Sequence, residues 1–178
     1  MRLFKSFANF GDKIAIDDGE GKSFTYKKLL IEFNRIKKKI KSKSLVLIIS
    51  ENSIGSLLAY IFCIINNHVA IIIDSKTKKK DIINIFKNYK PNYVFLKSKN
   101  KSFFKGKCIE KYNFSNEVLL KNKINKKIVL NKDLSLLLST SGSMGSVKFV
   151  KLSKMNIKHN ADTIIKYLEI KKNDTAIT

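Results

Sequence analysis

The sequence predicts an α/β fold: a partial doubly wound sheet with flanking helices. Runs that are apolar on both faces recur at 44–50, 69–74 and 93–96, helical stripes fall between them, and the joins are short. Strands buried on both sides are characteristic of a parallel sheet, and regular alternation with helices winds such a sheet. The chain's 178 residues, 44% of them hydrophobic, suffice for one domain with a core.

Residues 13–17 and 22–24 form a hairpin around Asp18-Gly19-Glu20-Gly21. Thr25 then caps a helix with its stripe at Tyr26, Leu29, Leu30, Phe33, Ile36 and Ile40, and the lysines of its last turn suit the helix dipole. After the strand 44–50, Asn52 or Ser53 caps a helix over 54–66 that is apolar nearly all round and is expected to be buried. Residues 54–73 could pass for a membrane crossing, but Asn66, Asn67 and His68 interrupt the run and Asp74 closes it, so it divides into a helix and a strand. A third helix over 78–89 turns Ile82, Ile83, Ile85, Phe86 and Tyr89 inward, Pro91 ends it, and 93–96 is the next strand.

From 97 to 132 the pattern weakens. Phe103, Phe104, Val118 and Leu119 read as short packed pieces in an exposed connection that carries no site. Strand patterns return at 134–138 and 147–152. A helix over 154–168 follows, capped by Ser153, with Ile157, Ala161, Ile164, Ile165 and Leu168 on its inner side.

A formal charge of +22 points first to nucleic acid, yet all but two of the 36 basic residues, Arg2 and Arg35, are lysine. Bidentate reading of guanine or phosphate favours arginine's planar fork, and the lysines are dispersed over nearly the whole chain. Heavy use of Ile, Asn and Lys together is what AT-rich coding produces. No specific nucleic-acid partner is expected, only weak attraction to polyanions at low salt. Cys63 lies in an apolar run and Cys108 in a polar one, with no CxxC and no histidine at ligand spacing; Cys63 reads as a small core residue. These thiols, and the lack of a continuous apolar run in residues 1–10, imply a reducing, cytoplasmic setting and no transmembrane segment.

Between the strands at 134–138 and 147–152 lies Ser139-Thr140-Ser141-Gly142-Ser143-Met144-Gly145-Ser146-Val147-Lys148. It has neither the GxxxxGKS/T spacing nor the helical exit of a Walker A loop, and it contains no GxGxxG. Lacking a helix N-terminus, it can hold an anion only through backbone N–H groups, the hydroxyls of Thr140, Ser141 and Ser143, and the charge of Lys148. Gly142 and Gly145 would let the backbone fold tightly round a polyphosphate. On these residues alone, a glycine-serine hairpin turn that binds nothing is an equal reading.

This stretch, with Val150-Lys151-Leu152-Ser153-Lys154-Met155-Asn156 after it, resembles the phosphate-loop signature of the adenylate-forming (AMP-binding) superfamily, roughly TSGSTGxPKGVxLSHxN. Acyl-CoA synthetases, luciferases and the adenylation domains of peptide synthetases belong to that superfamily. Supporting elements follow in the family's order: Asp12-Lys13-Ile14-Ala15-Ile16, Phe24-Thr25-Tyr26-Lys27-Lys28-Leu29, Ser50-Glu51-Asn52-Ser53-Ile54, Ala59-Tyr60 and Lys90-Pro91-Asn92-Tyr93-Val94-Phe95. The resemblance implies that 1–178 is the N-terminal part of the large adenylation domain. It implies ATP-dependent activation of a carboxylic acid through an acyl-adenylate, with Mg2+, and an acceptor thiol such as CoA or a carrier protein. The cofactor-binding set carried over is Thr140, Ser141, Gly142, Ser143, Met144, Gly145 and Lys148, with no catalytic residue and no protein metal ligand.

The chain departs from the signature at Met144, where a threonine is usual, at Val147 for proline, Phe149 for glycine and Lys154 for histidine. The family's glycine and proline are also missing from 67–74. His159 reads as a surface histidine, not a general base. The family's later motifs for adenine, ribose and the adenylation lysine do not occur in the 178 residues, so the chain by itself is expected to lack ligase activity. The alternatives are a non-catalytic nucleotide-binding or interaction module and, less favoured, a basic nucleic-acid scaffold.

Overall fold

Alternate residues of each central strand face opposite apolar layers, and this period of two organises the molecule. The computed structural model describes residues 7–112, 116–123, 128–140 and 147–177. In order these form β1 (Ile14–Asp17), β2 (Ser23–Thr25), α1 (Tyr26–Lys39), β3 (Leu45–Ser50), α2 (Ile54–Ile65), β4 (Val69–Asp74), α3 (Lys79–Tyr89) and β5 (Tyr93–Lys97). A 3-10 helix (Ser98–Phe103) follows, then β6 (Gly106–Tyr112), β7 (Glu117–Asn122), β8 (Leu134–Ser139), β9 (Phe149–Ser153) and α4 (Lys154–Tyr167).

The hairpin β1–β2 stands apart from a seven-stranded sheet of order β6-β7-β5-β3-β4-β8-β9. Its centre, β5-β3-β4-β8, is parallel, with Val46 beside Ala70 and Tyr93, and Ala70 beside Leu136. The borders β7, β6 and β9 are antiparallel. Val46 and Ile48 of β3 meet Phe33 and Ile36 of α1 and Leu58 and Phe62 of α2 on one side. Leu45, Leu47 and Ile49 meet Ile82 and Ile85 of α3 on the other. Helices on both faces make this the doubly wound sheet that the apolar runs predict.

Local signals behave as expected. Thr25 accepts the Lys28 N–H at the start of α1, and Ser53, not Asn52, accepts the Ser56 N–H at the start of α2. Among the described residues no helix is long and apolar enough to cross a membrane. Cys63 is buried, and burial pushes its thiol pKa far up, so it packs as a hydrocarbon would.

Three expectations need correction. Tyr89, expected to turn inward from α3, is instead 36% exposed, being the last residue of the helix. The segment 97–132 is not merely an exposed connection, because β6 and β7 extend the sheet and bury Tyr112, Val118, Leu119 and Leu120. Lys107 and Lys111 point to solvent from the border strand β6 and mask the alternation; lysine on a border strand is a familiar guard against further strand addition. The expected inner stripe of α4 is not buried either. Only Ile157 packs against the core, while Ile164 and Ile165 are 44% and 47% exposed. α4 leaves β9 at the sheet's border, and no described element covers the rest of its stripe.

His68, between α2 and β4, is 3% exposed and stacks on Phe62 at 5.3 Å, its Nδ1 lacking a hydrogen-bond partner among the described residues. Burial, reinforced by the charge of Lys43, depresses its pKa from 6.5 to about 4. Between those values the unfolded chain binds the proton and the folded chain does not. Stability contributed by neutral His68 is therefore present above pH 6.5 and lost as pH falls through the window. The loss is up to about 3 kcal/mol. Urea unfolding at about pH 7 and about pH 4.5 should show a smaller acid-induced loss in His68→Phe than in the unaltered chain. Equal losses would refute the assignment.

Candidate functional site

The hydroxyl-glycine loop leaves β8 and returns as β9, antiparallel strands in which Ser139 pairs with Phe149 and Leu138 with Val150. Just beyond the last pair, the Thr140 N–H donates to the Lys148 carbonyl at 3.0 Å, and the Thr140 hydroxyl reaches the same oxygen at 3.4 Å. These two bonds close the mouth of the loop and hold Thr140 beside Lys148, with both residues exposed. Ser141, Gly142, Ser143, Met144 and Gly145 lie outside the described residues. The exit is a strand, as expected; α4 begins only at Lys154. The loop therefore does not run directly into a helix N-terminus, and the described groups at its mouth that can attract an anion are the Thr140 hydroxyl and the Lys148 ammonium.

Along β9 the residues divide between the two layers. Val147 and Phe149 pack with the α3 layer, and Leu152 packs with the other. The Phe149 ring meets Tyr89, the last residue of α3, edge-on with centroids 5.2 Å apart. The bulky residues at 147 and 149 are thus half-buried against the α3 layer.

Because β3, β4, β5 and β8 are parallel, they end on one border of the sheet, at Ser50, Asp74, Lys97 and Ser139. The chain turns from β3 into α2 on one face and from β4 into α3 on the other. Such a reversal opens a crevice beyond the carboxyl ends, the usual ligand position in wound sheets. A cleft of about 330 Å³ lies there, with Glu51, Thr77, Lys79, Lys99 and Asn100 at its polar rim and Ile82 and Phe103 as its floor. The Lys79 ammonium rests 4.2 Å from the centre of the Phe103 ring, and Lys97 and Lys99 each approach Glu51 at 3.9 Å. Sequence reasoning placed no site between residues 97 and 132, and three residues of the cleft's lining, Lys99, Asn100 and Phe103, come from that segment. Their only signal is topological, since three separated segments supply the lining.

Behind this border Glu117, first residue of β7 and 1% exposed, accepts hydrogen bonds from the hydroxyls of Ser53 at 2.8 Å and Ser56 at 3.3 Å. A carboxylate at the N-terminus of α2 complements the helix dipole and fixes the β3–α2 turn that carries Glu51. Sequence reasoning missed this residue entirely.

Other groups take structural roles. Arg35 grips Glu32 at 3.0 and 3.1 Å and Glu110 at 2.7 Å, tying α1 to β6. Its guanidinium is thus occupied within the fold rather than offered to a nucleic acid. His159 is exposed on α4, as the sequence suggests. Among the described residues no group of His, Cys, Asp and Glu is arranged to hold a metal ion.

No protein-family profile and no curated protein sequence matches the chain. Similarity is found in three dimensions. A long-chain-fatty-acid–CoA ligase from Archaeoglobus fulgidus matches with a TM-score of 0.72 at 18% identity, over 97% of this chain and 40% of that one. The AlmE adenylation domain of Vibrio cholerae, solved with glycyl-adenosine-5'-phosphate, gives 0.72 at 12% identity, over 97% and 38%. The o-succinylbenzoate CoA synthetase of Bacillus subtilis, solved with an acyl-adenylate intermediate, gives 0.66 at 15% identity, over 96% and 47%. At such identities it is the fold that is shared, and the chain spans less than half the length of each of these proteins.

Proposed function

We propose that this chain, which has the fold of the N-terminal part of the adenylate-forming enzymes, is the triphosphate-holding part of an ATP-dependent ligase that activates carboxylic acids, of acyl-CoA synthetase type. The observation that supports this reading is the mouth of the 140–148 loop, closed by Thr140 and Lys148 beyond the carboxyl end of a parallel strand. In this reading residues 1–178 form the N-terminal part of the adenylation domain. Thr140, Ser141, Gly142, Ser143, Met144, Gly145 and Lys148 surround the β- and γ-phosphates, the hydroxyls and amides donating and the ammonium balancing charge. The acid's carboxylate oxygen bonds to the α-phosphorus as the bond to pyrophosphate breaks. Donors fixed beforehand stabilise the negative charge that gathers on the departing pyrophosphate. An acceptor thiol, such as CoA or a carrier protein, then takes the acyl group.

Magnesium fits this loop as an ion that arrives with the nucleotide. It keeps several waters and binds chiefly through phosphate oxygens, so it needs few protein ligands. The exposed Thr140 hydroxyl is a suitable outer partner at the mouth. Bound there, the ion would help neutralise the triphosphate.

Titration calorimetry with Mg-ATP tests the reading. Lys148→Ala should weaken binding roughly tenfold or more, hydrogen bonds to charged groups being worth about 1.5–3 kcal/mol. Tripolyphosphate should compete. Lys151→Ala, a change of equal charge three residues away, should leave the affinity unaltered. Equal weakening by both substitutions would mean diffuse attraction to a polyanion, and the reading would fall.

A further inference from the structure

The parallel strands begin on the border opposite the cleft, and α1, α2 and α3 end there. Hydrogen bonds knit this border across the sheet. The Asn122 side-chain amide donates to the Pro91 carbonyl, the Leu45 N–H to the Asn92 side chain, and the Val69 N–H to the Ser44 carbonyl. The half-buried Lys43 ammonium reaches the carbonyls of Asn131 and Lys132 at 3.0 and 2.8 Å and carries the series to the start of β8. Lysines dispersed in the sequence are gathered along it. α1 brings Lys37, Lys38 and Lys39 in its last turn and Lys41 just after, and α3 brings Lys87 and Lys90. Lys107 of β6 pairs with Lys121 of β7, which pairs in turn with Tyr93 at the start of β5. Lys105, Lys123 and Lys132 flank these strands, and all of these lysines are exposed. In the described segments that make the border (37–45, 66–69, 87–93, 104–107, 121–123, 128–134 and 153–155) Asp133 is the only acid. The opposite border mixes the signs, with Glu51, Asp74 and Asp81 among its lysines. The lysines that end α1 and α3 meet the partial negative charge of the helix termini. Those on the strands have no such charge to meet, and Lys107 directly opposite Lys121 is a like-charge pair, which weakens a sheet. Two apolar side chains stand among these ammonium groups. Val129 is 93% exposed before β8, and Met155 is 62% exposed at the start of α4, whose cap Ser153 pairs with Leu134 of β8.

We infer that this border seats the protein on an anionic membrane surface, a role separate from that of the loop. Neighbouring strands lie about 4.8 Å apart, so the row from β6 to β8 spans about 25 Å and faces several lipid headgroups at once. Each ammonium near such a surface adds to the attraction, and lysine suffices because the field is diffuse and asks for no bidentate fork. Val129 and Met155 decide between polyanions. The phosphate backbone of a nucleic acid gives an exposed valine or methionine nothing to bury against, whereas the boundary between headgroups and acyl chains does. A molecule resting on this border holds the carboxyl ends of its parallel strands, and the cleft beyond them, turned away from the bilayer.

Co-sedimentation of the full chain with vesicles tests the inference, with thermal unfolding measured on each variant. At low salt the chain should bind phosphatidylcholine–phosphatidylglycerol vesicles and not vesicles of phosphatidylcholine alone, and about 1 M salt should release it. Lys107→Gln with Lys121→Gln should lower partitioning about twentyfold, at about fivefold for each ammonium removed. Lys76→Gln with Lys80→Gln takes the same charge from exposed positions on the opposite border and should lower it less than about twofold. Val129→Ser should lower vesicle partitioning about three- to tenfold and leave the affinity for a DNA oligonucleotide unchanged. Equal losses for the two lysine pairs would reduce the effect to net charge and overturn the inference. Vesicle binding indifferent to Val129→Ser would overturn it as well, and DNA binding lost with Lys107→Gln and Lys121→Gln would then assign the border to nucleic acid. Failure of the unaltered chain to bind anionic vesicles at low salt would also sink it, while leaving the phosphate reading of the loop intact.

Discussion

Phe62→Ala is expected to remove about 3–5 kcal/mol of folding stability, the usual loss when a buried aromatic ring is cut to a methyl group. Phe62 is 1% exposed on α2, with Phe33 of α1 at 6.2 Å and the imidazole of His68 at 5.3 Å. It thus joins both helices of one layer to the turn that starts β4. A domain of this kind holds only about 5–15 kcal/mol in total, so the variant should be close to unfolding at body temperature. In urea the midpoint should fall with little change in slope. Phe62→Leu, which keeps most of the volume, should cost less than about 2 kcal/mol. A loss below about 1 kcal/mol for Phe62→Ala would mean that the α1–α2 layer collapses readily around the gap.

Glu117→Ala carries the next largest expectation, a loss of about 2–4 kcal/mol. Its carboxylate lies in the interior, accepts from two hydroxyls and faces the positive end of α2. In the sheet it is paired with Lys97. Removing it strands donors that folding has already taken out of water. Glu117→Gln keeps an acceptor for Ser53 and should lose less, about 1–2 kcal/mol. Thermal unfolding of both variants, together with amide exchange over residues 51–56, checks the expectation. Should Glu117→Ala match the parent in both measurements, the buried contact contributes nothing net. Loosening the turn would also release Glu51 from its place at the cleft rim.

The central strands and the first three helices are legible because burial on two faces leaves an uninterrupted apolar run, as in Val46, Leu47, Ile48 and Ile49. β6 is not, because a border strand keeps solvent-facing lysines and resembles a loop in composition. β7 does announce itself by the apolar run 118–120, but only its neighbours reveal that both its faces are covered. α4 shows the opposite failure: a stripe written in sequence records what a helix can bury, not whether anything lies against it. At the candidate site Thr140 and Lys148 are legible because hydroxyls, glycines and a lysine stand together in one short segment. Glu117 and the rim of the cleft are not. Their meaning comes from residues brought together across more than sixty positions of chain, as Ser53 and Glu117 are.

The surplus of ammonium groups acquires a purpose from the open side of β6. Lys105, Lys107 and Lys111 project along it. A second molecule approaching to add its own strand there would bring its lysines against these three. Mutual repulsion would oppose that approach, and repulsion of this kind reaches only about 10 Å in 0.1 M salt and about 3 Å in 1 M. Strand addition at this border should therefore be opposed in dilute salt and less opposed in concentrated salt.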